Sequence, residues 1–314
     1  MRRFVLRRVA TLAVTLLLVS LLVFVVVRVL PGDPALIILG TEGNAETAQR
    51  IRESLGLNRP VVVQYLEWVG RAARGDLGRS IQYDVPVASL VVSRLAVTLP
   101  LTLLAAGFMA LVALPVGVYA ATHQRRWGDY AVMAASQVGV AVPGFWAGLL
   151  LVLLFAVQLG WFKSGGFDGW GQGVLPALKS LLLPAVALGL FQFAVLARTT
   201  RSAVLEVLRE EYVKTARAKG LAERRVLFRH VLRNAMIPIL TVAGVQLGQL
   251  MAGSIVLESV FYLPGLGRLA IGAISARDLP VVQGVVLFVA SVIVTINVAV
   301  DLLYGVLDPR IRYE

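Results

Sequence analysis

The sequence predicts an all-α membrane protein with six transmembrane helices and both termini in the cytoplasm. Three observations carry that prediction: a composition that is 58% hydrophobic and only 15% charged, six long uncharged runs, and a strong sidedness in the distribution of Lys and Arg. Core helices of soluble domains do not sustain apolar runs of the roughly 20 residues that cross a bilayer.

The runs are Val9 to Val27, Leu95 to Thr122, Tyr130 to Phe162, Ser180 to Ala197, Ala235 to Leu257 and Leu279 to Val300. The first follows a basic "MRRFVLRRVA" start resembling a signal peptide. The apolar run is too long for a signal segment and leads into "RVLPGDP" without a small-residue cleavage site, so it is expected to stay as an uncleaved helix.

With the N-terminus inside, the inner segments hold 18 Lys/Arg against 8 acids and the outer segments 12 against 10, a net of +10 and +2. The positive-inside rule favours this orientation. Trp161, Trp170 and Tyr262 then fall at the outer interface, and Trp127, Tyr130 and Tyr304 at the inner one. The overall charge of +12 is thus accounted for by topology, and a nucleic-acid partner is not expected. Membrane lipid is.

Residues 31–94 form an outer region between the first two runs. Within it "ETAQRIRESLG" and "PVVVQYLEWVGRAARGDLG" have helical spacing, with Ile51 and Leu55 on one face and Val61, Tyr65, Trp68 and Val69 on another, and stops at Gly56 and Gly75. Two readings stand: helices capping the outer face, or a docking surface for a soluble partner. Pro100, Pro115, Pro143 and Pro184 within or beside the runs permit kinks. Between the last two runs, Leu266, Leu269, Ala270 and Ala273 share one face of a helix too short to cross, which predicts a re-entrant or surface helix.

Several chemistries are excluded. The chain has no cysteine, hence no disulfide or thiolate site. No Gly-Lys pair occurs, so the ATP-binding phosphate loop is missing, and His123 and His230 form no His-Glu-x-x-His motif. No span centre carries an ionisable group of the kind that drives ion-coupled pumps; Glu258 and Asp301 lie at span edges. No catalytic residue, metal site or bound cofactor is expected, and the energy source is external. Polar residues inside the spans are amides and hydroxyls. Gln137, Gln192, Gln246, Gln249 and Ser254 either hydrogen-bond between helices or line a passage, and Gln246, Gln249 and Gly253 share one helical face.

The segment from Arg198 to Asn234 holds ten bases and four acids. At about 3 kcal/mol per charge at mid-bilayer it does not cross. Val204, Leu208, Tyr212 and Ala216 predict an apolar stripe on a first helix ending at Gly220. A second helix from Glu223 carries Val226, Leu227 and Val231 toward the fifth run. Three roles compete: binding anionic lipid headgroups, scaffolding the adjacent spans, or gripping a cytoplasmic protein that supplies energy. Glu206, Glu210, Glu211 and Glu223, interleaved among the bases, count against pure lipid binding.

"EYVKTARAKGL" followed by "RHVLRNAMIP" resembles the EAA loop of inner-membrane permease subunits of ABC importers, in the branch that imports dipeptides, oligopeptides and nickel. "RVLPGDP", "GDLGRS", "VPGFW" and "DPRIRY" extend the resemblance over essentially the whole chain. With Gly220 as the loop glycine, Lys214 stands in the Glu place of the general pattern, and Thr215 and Ala216 fill the two Ala places. His230, Leu232 and Arg233 stand for the closing Ile, Leu and Pro. These departures look like the usual form within the peptide and nickel branch.

The resemblance implies a type I (MetI-like) importer permease in the bacterial inner membrane. A tail and first span (1–30) and an extracytoplasmic region (31–94) would precede a five-helix core (95–314), with the coupling loop at 198–234. It further implies a homologous second permease, two ATPase subunits that bind ATP and Mg, and an extracytoplasmic solute-binding protein. Tyr212, Thr215, Ala216, Arg217, Ala218, Lys219, Gly220, Leu221 and Glu223 would form the coupling surface, with Arg217 and Lys219 in polar contact with the ATPase and Gly220 turning in a positive-φ conformation. A peptide cargo is favoured over nickel. The rival from another class is an ATP-independent channel or receptor with a lipid-binding loop.

Overall fold

The computed structural model describes residues 2–29, 45–54 and 58–307 of the 314-residue chain. The helices are α1 (Arg2–Val29), α2 (Ala45–Ser54), α3 (Val61–Ala72), α4 (Val87–Thr122), α5 (Trp127–Ala141), α6 (Gly144–Gln158), α7 (Val174–Leu208), α8 (Glu211–Ala218), α9 (Glu223–Val260), α10 (Leu266–Ser275) and α11 (Leu279–Leu307). Among the described residues β pairing is confined to one isolated bridge, between Arg79 and Pro86. Leu55, Gly56, the ring of Tyr304, the side chain of Ile51, the "RVLPGDP" stretch beyond Val29 and the final "DPRIRY" lie outside the described residues.

Five helices are long and apolar enough to cross a membrane, over Arg7–Arg28, Val87–Thr122, Val174–Leu208, Glu223–Val260 and Leu279–Leu302. The third run of the sequence is not one helix. It divides into α5 and α6, which meet at 105° and make a sixth span only as a bent pair. Val142 is extended (φ −86, ψ 121) ahead of Pro143, because a proline ring excludes the helical conformation at the preceding residue. Pro100, Pro115, Pro184 and Pro238 interrupt nothing and lie inside α4, α7 and α9.

The centre of the bundle is the α4 and α7 pair. Leu101, Ala105, Met109 and Ala113 of α4 and Leu181, Leu188, Leu196 and Ala197 of α7 are buried in one cluster with α9 residues. Small residues let the backbones approach closely: a Cβ on Gly117 would lie 2.6 Å from the Ala197 carbonyl oxygen and from the Thr200 Cβ. Without a hydrophobic drive between helices in lipid, such van der Waals packing carries association.

The short α10 buries Leu266, Leu269, Ala270 and Ala273, the face its spacing predicts, in a second cluster with Val87, Val91, Val281 and Val285. Its N-terminus is tied down by Glu258, a residue placed at a span edge from sequence but fully buried in the fold. The Glu258 carboxylate accepts hydrogen bonds from the backbone N–H groups of Gly267 (2.7 Å) and Arg268 (3.4 Å) and from the Thr98 hydroxyl (2.6 Å), and Thr98 Oγ1 accepts one from the Leu266 N–H (2.9 Å). A carboxyl oxygen at a helix start satisfies N–H groups that lack an intrahelical partner. Asp278 plays a similar part beyond α10, accepting from the Ser80 hydroxyl and the Ile81 and Gln82 N–H groups. It thereby anchors the end of the "GDLGRS" stretch, in which Gly75 and Gly78 have φ of +85 and +89.

α3 packs against the end of α1. Phe24 lies 5.4 Å from the Tyr65 ring and 6.1 Å from Trp68, and the Ser20 and Tyr65 hydroxyls are 2.9 Å apart.

Candidate functional site

The segment joining α7 to α9 folds into an elbow. α7 ends at Leu208, where the Arg209 and Glu210 N–H groups bond back to the Glu206 and Val207 carbonyls, each at 3.1 Å. Glu210 is extended (φ −65, ψ 143), and α8 begins after it. This break shifts the helical phase. The single stripe expected from Val204, Leu208, Tyr212 and Ala216 is therefore interrupted: Val204 is buried on α7 and Ala216 on α8, but Tyr212 is 41% exposed and Val213 takes the inward place.

Gly220 closes α8 with φ +74. Its N–H bonds to the Arg217 carbonyl at 2.9 Å, and the Leu221 N–H reaches the Ala216 carbonyl at 3.3 Å. This is the Schellman pattern, in which a left-handed residue turns the chain while satisfying the last carbonyls of the helix. Leu221 is half-buried against the core. After Ala222, α9 starts at Glu223 and passes through a π-helical turn, Val226–Val231, with both end valines fully buried.

Two side-chain contacts cross the elbow. Arg217 Nε and Nη2 donate to Glu223 Oε1 and Oε2 at 2.8 and 3.2 Å, and Asn234 Nδ2 donates to Tyr212 Oη at 2.7 Å. The outward side exposes Tyr212, Lys214, Thr215, Arg217, Ala218, Lys219, Gly220 and Glu223. The fold thus gathers the nine residues expected at a coupling surface into the elbow, with Ala216 facing inward and Leu221 half-buried. Beside them a cleft of about 360 Å³ opens between the ends of α4 and α7 and the elbow, lined by Thr122, Leu208, Arg217, Glu223, Leu227 and Phe228 among others.

A second tie lies nearby. The Asp129 carboxylate, 2% exposed, receives Arg201 Nε on one oxygen and Nη2 (2.8 Å) on the other, with the Arg125 N–H at 3.0 Å. It pins the start of α5 to α7. Sequence reasoning overlooked it, as it overlooked Asn234 and Val213. An acid in the first turn of α5 was the available signal, but its partner is 72 residues away.

The polar span residues do not form one surface. Gln192, Gln246 and Ser254 are buried, whereas Gln137 and Gln249 are exposed on α5 and α9. Ser254 bonds to the Met251 carbonyl of its own helix at 2.8 Å. Gln192 Oε1 and the hydroxyls of Ser136 and Thr200 are buried without a hydrogen-bond partner. Among the described residues no group of three or more His, Asp or Glu could hold a metal ion.

Residues 113–313 match the family described as binding-protein-dependent transport system inner membrane component, and residues 1–102 match the N-terminal segment described for the same systems. A protein of Brucella abortus (strain 2308), provisionally described as a peptide transport system permease, is 47% identical over 314 residues, all of both chains. The glutathione transport system permease protein GsiC of Escherichia coli (strain K12) is 41% identical, again over the whole of both chains. Among solved structures, a chain of the inward-facing MetNI methionine ABC transporter aligns with a TM-score of 0.58 at 21% identity, covering 70% of this chain and 96% of that one. That likeness shows the type I permease fold. Taken with the apolar helices and the elbow, these matches place the chain in the bacterial inner membrane as a multi-pass protein, and it belongs to the family of binding-protein-dependent transport system inner membrane components, the permease subunits of ABC importers.

Proposed function

We propose that the chain is one permease subunit of an ATP-driven peptide importer, that it forms half of the translocation pathway beside a homologous second permease, and that the elbow is its cytoplasmic contact with an ATPase subunit. The observation that carries this reading is the elbow itself: a short helix, buried on one side by Val213 and Ala216, exposed on the other, and turned back by a positive-φ glycine. A lipid-binding segment has no need of a closed turn braced from within.

The cargo reading rests on the relatives. One is described as a peptide permease and another as a permease for glutathione, itself a tripeptide; neither name points to nickel. An outer solute-binding protein would deliver the peptide, and two ATPases binding ATP and Mg would each seat one elbow of the permease pair. Closure of the ATPases on ATP would displace the elbows as rigid bodies and switch the bundle between two states. Gln137 and Gln249, exposed amides within the spans, are the passage residues this reading favours.

The test is reconstitution with the co-purifying subunits in sealed vesicles. Labelled di- and tripeptides should accumulate only with ATP and the binding protein. Passive flow at full rate through this chain alone would refute the proposal.

A further inference from the structure

We propose that α8 is braced to α9 and hinged on α7, so that Tyr212, Arg217, Glu223 and Asn234 act as positioning residues that deliver any displacement of the elbow to α9. The inference rests on the coupling role proposed above and changes the part given to Arg217, from a contact with the ATPase to an internal strut.

The two junctions of α8 are built differently. Toward α7, the chain passes through Arg209 and Glu210, both exposed, whose N–H groups bond only to the last turn of α7. Among the described residues no side-chain hydrogen bond or ion pair joins α7 to α8. Toward α9, there are two. Tyr212 lies in the first turn of α8 and meets Asn234; Arg217 lies in its last turn and meets Glu223. The Asn234 amide is itself oriented by a bond to the His230 carbonyl at 3.1 Å. Between the ties run Val213 and Ala216 of α8 and Val226 and Val231 of α9, all buried. One point of attachment lets a helix swivel, whereas two at opposite ends, with an apolar strip between, leave it no free axis. The Arg217 and Glu223 side chains are 40% and 70% exposed, so their bond adds little adhesion. Its two-pronged geometry fixes direction instead.

The ties also straddle the π-helical turn, Glu223 preceding Val226 and Asn234 following Val231. A push on α8 is therefore received on both sides of that turn and enters α9 without being absorbed there. α9 in turn shares one buried cluster with α4 and α7, through Ile239 and Leu250 beside Leu101 and Leu196, so what reaches α9 reaches the centre of the bundle.

The test uses the reconstituted complex with Arg217→Glu, Glu223→Arg, the double exchange, and Tyr212→Phe, which removes only the hydroxyl. Each single variant should retain the ATPase subunits and hydrolyse ATP, while peptide taken up per ATP falls roughly tenfold, the order of a coupling between linked sites. The double exchange should restore most of it. If the single variants lose the ATPase, or the exchange recovers nothing, Arg217 and Glu223 are docking contacts and the brace is refuted. A second measurement does not depend on import. The chain has no cysteine, so spin labels on Lys214→Cys and Arg229→Cys report the distance across the elbow. That distribution should broaden in each single variant and narrow again in the exchange; identical distributions throughout would overturn the proposal. Absent ATP-dependent uptake in the unaltered complex would count against the importer reading, leaving the spin-label result to judge the brace.

Discussion

The Arg201 guanidinium embraces the Asp129 carboxylate across 72 residues of chain, fastening the first turn of α5 to the C-terminal part of α7. Asp129 is almost fully buried, and the guanidinium is four-fifths so. Removing one partner of such a pair leaves an uncompensated charge, at about 3–5 kcal/mol. Asp129→Ala or Arg201→Ala should therefore lower the unfolding temperature in detergent sharply. Replacing both residues by leucine should restore much of it, since an apolar pair of similar volume leaves no charge behind. A single-variant stability equal to that of the unaltered chain would show the pair to be idle.

Glu258→Ala should cost about 1–3 kcal/mol for each buried donor left unpaired among Thr98, Gly267 and Arg268. Glu258→Gln keeps an acceptor and should cost less. Gly265→Ala should be at least as damaging as Glu258→Ala, because the new Cβ would fall 2.2 Å from the Glu258 carboxyl carbon. Thermal stability of the three variants, ranked side by side, checks the order.

Gly220→Val places a β-branched side chain at φ +74, a conformation that disfavours L-residues by about 1–2 kcal/mol. Nothing lies within 4 Å of its Cβ position, so the penalty is one of backbone conformation and not of space. The protein should remain in the membrane at normal level while peptide uptake is lost. Gly220→Asn, which tolerates positive φ, should keep most of the uptake. Full transport by the valine variant would remove Gly220 from the coupling role.

Lys219 caps α8, is exposed and forms no salt bridge with a described residue. If it meets the ATPase directly, Lys219→Glu should reduce ATPase co-purification in mild detergent, the more so at low salt, where surface charges are least screened. Unchanged recovery would reassign it to the solvent.

What could be read in advance was what repeats along the chain. Leu266, Leu269, Ala270 and Ala273 announce the buried face of α10 because a helix brings every third or fourth residue to one side, and Gly220 marks a stop because few other residues turn left-handed. The elbow's phase was not readable. One extended residue, Glu210, rotates everything after it, so Val213 replaces Tyr212 inside. The division at Val142 and Pro143 was foreseen as a kink, but its angle depends on what α5 and α6 pack against. Asp129 with Arg201, Glu258 with Thr98 and Tyr212 with Asn234 are separated by 72, 160 and 22 residues. No periodicity links such partners; only the packed bundle does.

The central pair has one last implication. α4 and α7 contain 36 and 35 residues, so at about 1.5 Å of rise each is over 50 Å long, against roughly 30 Å of hydrocarbon. Some 20 Å of each rod must stand clear of the acyl chains. The surplus falls mainly at opposite ends, residues 87–94 ahead of the apolar run of α4 and residues 198–208 behind that of α7. The pair therefore overhangs both faces of the bilayer, and lipids of greater thickness should swallow part of each overhang.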